Sequence, residues 1–315
     1  MKLVFMGTPD FAVPSLQRLT ASPYPVLAVV TNPDRPRGRG RKPAPPAVKK
    51  AALELGLSVL QPESLKDPGL AAQLEAYQPD LFVVVAFSIL PSHLLAIPRC
   101  GAINLHPSLL PAYRGAAPII WAVINGEQET GITTFRLDRR VDTGDLLLQQ
   151  RIAIGPEETA GELEARLREL GADLLVQTLR GLEQGFVQPR AQSCAHVTRA
   201  PKLNREDGRI DWNQPTEKVR NHIRGTNPVP GAFTAWVRGL LKVHRARPLD
   251  KAPQFEPGTV LAADPHTGLA VSTRDGALLL TEVQPEGKPR MEGTAFVRGH
   301  HIAVGVELGN AEQHQ

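Results

Sequence analysis

The chain carries only two cysteines, Cys100 and Cys194, and no Cys/His spacing that resembles a metal site. A disulfide scaffold and a structural metal are thereby set aside, and a reducing cytoplasm is the simplest location. No apolar run approaches the roughly 20 residues of a membrane span. The first residues, Met1-Lys-Leu-Val-Phe-Met, read directly as a strand, without a secretory signal's longer apolar core and small-residue cleavage site. Internal repeats and low-complexity tracts are lacking too, which argues against a repeat array. After the first strand the pattern Gly-x-Gly-x-x-Gly is missing. The sequence there is Gly7-Thr-Pro-Asp-Phe11, so a dinucleotide site fails its first test.

What is present is ordinary in bulk and uneven in placement. The 315 residues, 42% hydrophobic and 22% charged, suffice for a large core and two globular domains. The net charge of +4 is modest. Yet Arg35 to Lys50 holds seven Lys/Arg and no acid, and Gln188 to Asp250 holds twelve against five Asp/Glu. Clustered basic charge suggests a polyanion partner. Taken alone, either cluster reads more simply as a solvated face.

The first half alternates strands with amphipathic helices. Leu3–Met6, Val26–Thr31, Leu81–Phe87 and Ala102–Leu105 read as buried parallel strands. Phe11–Thr20, Val48–Leu55 and Pro68–Ala76 read as helices between them. This pattern predicts βαβ units and an α/β domain with a mostly parallel, Rossmann-like sheet. Arg114–Ile124 reads as a helix, Gly131–Leu137 and Leu146–Ala153 as strands, and Thr159–Glu183 as a long helix with a leucine core face. The expected first domain is 1–185, followed by a polar, basic linker over 186–206. Beyond it, a short helix near Thr216–Arg224 precedes strand-like runs at Ala232–Val237, Leu240–Arg245, Thr259–Ala262, Leu269–Ser272 and Leu278–Val283. Short strands set between Gly and Pro predict a smaller, OB-like β-barrel over 207–315.

The most informative stretch is Asn104-Leu-His-Pro-Ser-Leu-Leu-Pro-Ala-Tyr-Arg-Gly-Ala-Ala-Pro118. Asn104 and His106 alternate on an extended segment, so both side chains point to one side. In an open α/β sheet that side, at the carboxyl end of the strands, is where ligands bind. An amide donor stabilises an oxyanion and an imidazole moves protons near neutral pH, which together suit acyl-type transfer. Prolines 107, 111 and 118 with Gly115 make a long fixed loop that reads as a pocket wall. Asp142, in the turn Val141-Asp-Thr-Gly-Asp145, could orient the imidazole or a water. A satisfied Asn-x-His pair and an Asx-turn are the bland alternatives.

Taken over nearly its full length, the chain resembles the methionyl-tRNA formyltransferases. The motifs that carry the resemblance are Phe-Met-Gly-Thr-Pro-Asp-Phe at 5–11, Pro-Asp-Arg-Pro-Arg-Gly-Arg-Gly-Arg-Lys at 33–42, Asn-Leu-His-Pro-Ser-Leu-Leu-Pro at 104–111, Tyr-Arg-Gly-Ala-Ala-Pro-Ile at 113–119, Asp-Thr-Gly-Asp at 142–145 and Ile-Asp-Trp at 210–212. The resemblance implies Asn104, His106 and Asp142 as catalytic residues, with a protonated His106 helping to stabilise the oxyanion. It implies folate contacts from Ser108, Leu109, Leu110 and Pro111, with Ile89 and Leu90 lining the pterin pocket. Phe87-Ser-Ile-Leu-Pro91 departs there from the family's frequent Gly-Leu-Ile-Leu-Pro. The implied reaction moves a formyl group from 10-formyltetrahydrofolate to the α-amino group of methionine on initiator tRNA, in the cytoplasm and with no metal. Arg35, Arg37, Arg39, Arg41 and Lys42 then form a cationic arm toward the acceptor stem, and Lys202 and Arg205 a second basic contact.

The Asn/His/Asp set alone leaves other readings open. An amino-sugar-nucleotide formyltransferase shares it, and so does a hydrolase releasing formate from the same donor. A non-enzymatic RNA-binding protein on a relic fold has no use for an intact set. The basic clusters favour tRNA.

Overall fold

Leu3–Gly7 is apolar up to its final glycine and is buried along its whole length. Leu81–Val85 is buried likewise. Strands covered on both faces need continuous apolar runs, and these two form the centre of a parallel sheet. The computed structural model describes residues 1–37, 42–250 and 255–309. They divide into two compact units. The first comprises Met1–Pro118, Glu129–Ala153 and Glu164–Ala200; the second comprises Ile119–Gln128, Ile154–Leu163 and the chain from Pro201 onward.

In the first unit a seven-stranded sheet runs from edge to edge as Leu146–Ala153, Glu129–Arg136, Ala102–His106, Leu81–Val85, Leu3–Gly7, Val26–Val30 and Val59–Leu60. The five strands from Ala102–His106 onward are mutually parallel, and Glu129–Arg136 runs against its neighbour Ala102–His106. The chain builds outward from Leu3–Gly7 to one edge and then returns to its other side with Leu81–Val85. That reversal opens a crevice at the carboxyl ends of the strands. The helix Ala160–Glu183 packs on the sheet where Gly171 allows close approach. A Cβ there would lie 2.5 Å from Ile132 and 2.7 Å from Leu105.

The local readings hold for most elements. Two differ. The helix expected from Arg114 begins at Pro118, because Arg114–Gly115 pairs instead with Arg199–Ala200. Long-range main-chain pairing overrides local helix propensity there. The stretch expected as a linker also packs on the first unit up to Ala200: Arg190 exchanges hydrogen bonds with Leu146.

The second unit holds a sheet ordered Ala232–Trp236, Gly239–Leu249, Ala277–Pro285, Gly268–Ser272 and Val260–Asp264, with Met291–Glu292 added to Ala277–Pro285. Its edges are bridged by the segment Gly305–Gly309. Val260 N–H donates to Val306 and Leu308 N–H to Gly258 on one side, and Gly309 N–H donates to Ala235 on the other. Such closure removes the exposed edges. Trp212, Trp236, Leu241, Val260 and Phe296 are among its buried core residues. Phe296 comes from a helix, Gly293–His300, that two glycines hide from a propensity reading.

Candidate active site

Ala102–His106 alternates as its sequence demands. Leu105 turns to the face where Gly171 packs, so Asn104 and His106 share the opposite face. Asn104 lies opposite Val84 and Phe135, and His106 opposite Thr133, in the two flanking ladders. Asn104 is part-buried, and its amide oxygen is buried without a hydrogen-bond partner. His106 is buried, with Phe135 set edge-on at 6.4 Å.

The imidazole is held from two directions. Its Nε2 lies 2.9 Å from the carbonyl of Tyr113. A carbonyl only accepts, so Nε2 carries the proton and Nδ1 keeps its lone pair. Nδ1 faces Asp142 Oδ2 at 3.8 Å. The same carboxylate oxygen accepts the N–H of Gly115 at 2.8 Å. One short loop, Tyr113-Arg-Gly115, thus fixes the ring through a carbonyl and the carboxylate through an amide. Gly115 is required: its φ is +128°, and a Cβ would sit 2.5 Å from the carbonyl oxygen of Ala200. Asp142 itself adopts a left-handed backbone, φ +55°.

Burial pushes the His106 imidazole below its ordinary value. The Asp142 charge and the Tyr113 carbonyl act in the opposite direction but do not offset it. The shift favours the neutral ring in the free protein, before any proton transfer. A neutral ring with a lone pair on Nδ1 can accept a proton, and Asp142 is placed to stabilise the imidazolium that would result.

The loop after His106 is braced by a residue that sequence reading missed. Thr133 Oγ1 donates to the Ser108 carbonyl at 2.6 Å and accepts from Leu110 N–H at 3.2 Å and Gln149 Nε2 at 3.0 Å. Ser108 Oγ donates to the Ala112 carbonyl at 2.6 Å. Leu110 packs with Phe135 and Leu146. Leu109 lies against Gly131, and Pro111 is part-exposed. On the neighbouring loop Leu90 is buried beside Met6, Val84 and Leu94, whereas Ile89 is 75% exposed. Of that pair only Ile89 presents its side chain outward.

Among the basic residues, Arg35 is exposed, and Arg35–Arg37 pairs antiparallel with Lys42–Ala44. Arg39 and Arg41 lie outside the described residues. Lys202 and Arg205 are exposed in the second unit. Among the described residues no group of three His, Cys, Asp or Glu is placed to hold a metal ion, and no helix is long and apolar enough to cross a membrane.

Comparison with known proteins agrees with this geometry. Residues 1–179 match the formyl transferase family model, and residues 202–301 match the model of the formyl transferase C-terminal domain. The methionyl-tRNA formyltransferase of Solibacter usitatus is 47% identical over 98% of this chain and 99% of its own. That of Acidobacterium capsulatum is 49% identical over 98% of this chain and 100% of its own.

The chain belongs to the methionyl-tRNA formyltransferase family.

Its fold recurs in more distant solved structures. An N-formyltransferase from Helicobacter canadensis, solved with folinic acid and dTDP-3-aminofucose, aligns with a TM-score of 0.64 at 18% identity, covering 88% of this chain and 97% of that one. HypX from Aquifex aeolicus, solved with tetrahydrofolic acid, aligns with a TM-score of 0.65 at 20% identity, covering 95% of this chain and 47% of that one. At such identities the likeness speaks for the formyltransferase fold.

Proposed function

We infer that this formyltransferase moves a formyl group from 10-formyltetrahydrofolate to the α-amino group of methionine carried by initiator tRNA. The observation that carries the reading is the buried His106, poised between the Tyr113 carbonyl and the Asp142 carboxylate beside Asn104, whose amide oxygen has no partner. The full-length likeness to methionyl-tRNA formyltransferases, in which both units align, supports tRNA as the acceptor.

Asn104, His106 and Asp142 are assigned to the chemistry. His106 Nδ1 takes the proton that the attacking amine loses. Asp142 stabilises the resulting imidazolium. The Asn104 amide donates to the carbonyl oxygen on which negative charge develops, a contact worth on the order of 100–1000-fold in rate. As the bond between the formyl carbon and the donor's nitrogen breaks, His106 returns the proton to that nitrogen, and tetrahydrofolate departs. Ser108, Leu109, Leu110, Pro111 and Ile89, with Leu90 beneath, form the wall that would hold its pterin. Its polar atoms would meet the main chain there, since the Ser108 hydroxyl is already committed to Ala112.

Arg35, Arg37, Lys42, Lys202 and Arg205 are assigned to tRNA phosphates, as are Arg39 and Arg41 outside the described residues. The catalytic role belongs to the first unit and tRNA affinity largely to the second. Because charged initiator tRNA is the acceptor, the enzyme works in the cytoplasm. Incubation with labelled 10-formyltetrahydrofolate and charged initiator tRNA should yield formyl-methionyl-tRNA, with amino-sugar nucleotide and water as poor acceptors. Equal transfer to the sugar nucleotide, or formate release without tRNA, would overturn this reading.

A further inference from the structure

Asp142 is held in an unusual position. A left-handed backbone is uncommon at a non-glycine residue and persists where neighbours enforce it. The turn around it is tight: a Cβ at Gly144 would lie 1.8 Å from the Arg136 carbonyl oxygen. The carbonyls of Asp142 and Gly144 both accept from one group, Gln192 Nε2, at 3.0 and 2.8 Å. The other end of that side chain is engaged as well. Gln192 Oε1 accepts from Arg114, 2.6 Å from Nη2 and 3.3 Å from Nε. Arg114 lies between Tyr113, whose carbonyl receives the His106 proton, and Gly115, whose N–H holds the Asp142 carboxylate.

We propose that Gln192 is a positioning residue for the proton-transfer pair, clamping the Asp142 turn to the Tyr113–Gly115 loop and so setting the distance from Asp142 to His106. The segment bearing Gln192 is anchored on both sides. Arg190 exchanges hydrogen bonds with Leu146 at 2.8 and 2.9 Å. Thr198 Oγ1 accepts from Tyr113 N–H at 2.8 Å, the Thr198 carbonyl accepts from Arg114 N–H at 3.0 Å, and the Ala200 carbonyl accepts from Ala117 N–H at 3.1 Å. A stretch that reads as a polar linker is therefore a strap across both loops of the site. Arg114 and Gln192 together do what neither loop does alone: they join the ring's support to the carboxylate's support.

The clamp has an electrostatic signature. Asp142 is the charged group that faces His106; the ring's other neighbours described above are the Tyr113 carbonyl and the Phe135 ring. The Asp142 charge raises the proton affinity of His106 against burial. Loosening Asp142 should therefore lower the titration midpoint of His106, an effect that a purely structural hydrogen bond would not produce.

The proposal rests on the assignment of His106 and Asp142 as the proton-transfer pair. Gln192→Leu removes both ends of the clamp. Gln192→Asn adds no charge and keeps an amide that is one methylene too short to hold Arg114 and the two carbonyls together. In each full-length variant the His106 titration should be followed by NMR without substrates, beside folate affinity, kcat, KM and thermal stability. Both variants should show a lower His106 midpoint and a kcat reduced by about 100-fold, as expected for a catalytic group displaced by about 1 Å. Folate affinity and KM should stay within about twofold of wild type, since neither loop end that faces the folate wall is altered. Wild-type turnover and an unshifted midpoint in Gln192→Asn would overturn the clamp, and so would an unshifted midpoint with a kcat loss no larger than the loss of folded protein. If Gln192→Leu fails to fold, Gln192→Asn decides alone. A wild-type protein that does not formylate charged tRNA overturns the functional reading instead, while the substrate-free titration still supports or overturns the clamp.

Discussion

A buried imidazole serves proton transfer only if burial does not remove its basicity. In His106 desolvation is the largest influence, and it lowers the proton affinity. The Asp142 charge restores part of it at 3.8 Å, too far for a hydrogen bond but close enough for a strong coulombic effect in a dry site. The midpoint of His106 in the free enzyme should therefore lie below the ordinary histidine value of about 6.5. Asp142→Asn should push it lower still, because only the raising influence of the charge is lost. A midpoint at or above 6.5, or an upward move in Asp142→Asn, would contradict this account. Asn104→Ala, His106→Ala and Asp142→Ala should each lower turnover by about 100–1000-fold in single-turnover assays. Folate affinity should change little, because these groups act mainly on the transition state. Near-normal turnover in His106→Ala would remove the proton-transfer role.

The strand Glu129–Arg136 does more than extend the sheet. Its Thr133 is buried and ties together Ser108, Leu110 and Gln149 through one hydroxyl. Thr133→Val preserves shape and removes those bonds, leaving buried partners unpaired at a cost of about 1–3 kcal/mol. Folate binding should weaken and the urea midpoint fall, while kcat at saturating folate stays near wild type. Unchanged folate affinity and stability would show that the hydroxyl does not brace the loop. This brace was not legible in the sequence, because a threonine inside a strand reads simply as a strand former. The strands of the first sheet were legible because burial on both faces leaves an unbroken apolar run, as in Leu81–Val85. The placement of Asn104 and His106 followed from the same two-residue period. The strap from Arg190 to Ala200 was not, since its partners, the Arg114 guanidinium apart, are main-chain atoms of residues such as Tyr113, Arg114, Asp142 and Leu146, distant in sequence. A polar segment with proline reads as a linker when its hydrogen-bond partners carry no side-chain pattern. The helix Gly293–His300 was hidden for the opposite reason: its own propensity is weak, and buried Phe296 and Val297 hold it in place.

At the scale of the molecule, buried histidines and paired carboxylates set how the fold meets acid. His106, His222 and His244 are all lowered, chiefly by burial. The unfolded chain takes up protons at these sites near pH 6.5, where the folded chain does not, so stability falls as pH drops below that value. Asp34, Asp80, Asp264 and Asp275 are held low by hydrogen bonds. Their contribution persists until pH falls into the ordinary carboxylate range of about 4. Urea midpoints should therefore decline from pH 7.5 to 5.5, and His222→Gln should shrink that first decline. A flat profile over this interval would refute the account. Charge also governs the proposed partner. Arg35 and Arg37 lie in the first unit, and Lys202 and Arg205 in the second. If both segments meet phosphates of one tRNA, each contact contributes about 0.9 to the slope of log affinity against log salt. Arg35→Ala with Arg37→Ala should lower that slope by up to about 1.8, and so should Lys202→Ala with Arg205→Ala. The fourfold variant should lose the sum, with folate affinity and kcat at saturating tRNA retained. The measurement is tRNA binding across a salt series for wild type, both double variants and the fourfold variant. Slopes that do not change would return these residues to the solvated surface. A fourfold variant no worse than either double would mean that the two segments do not contact the same bound tRNA.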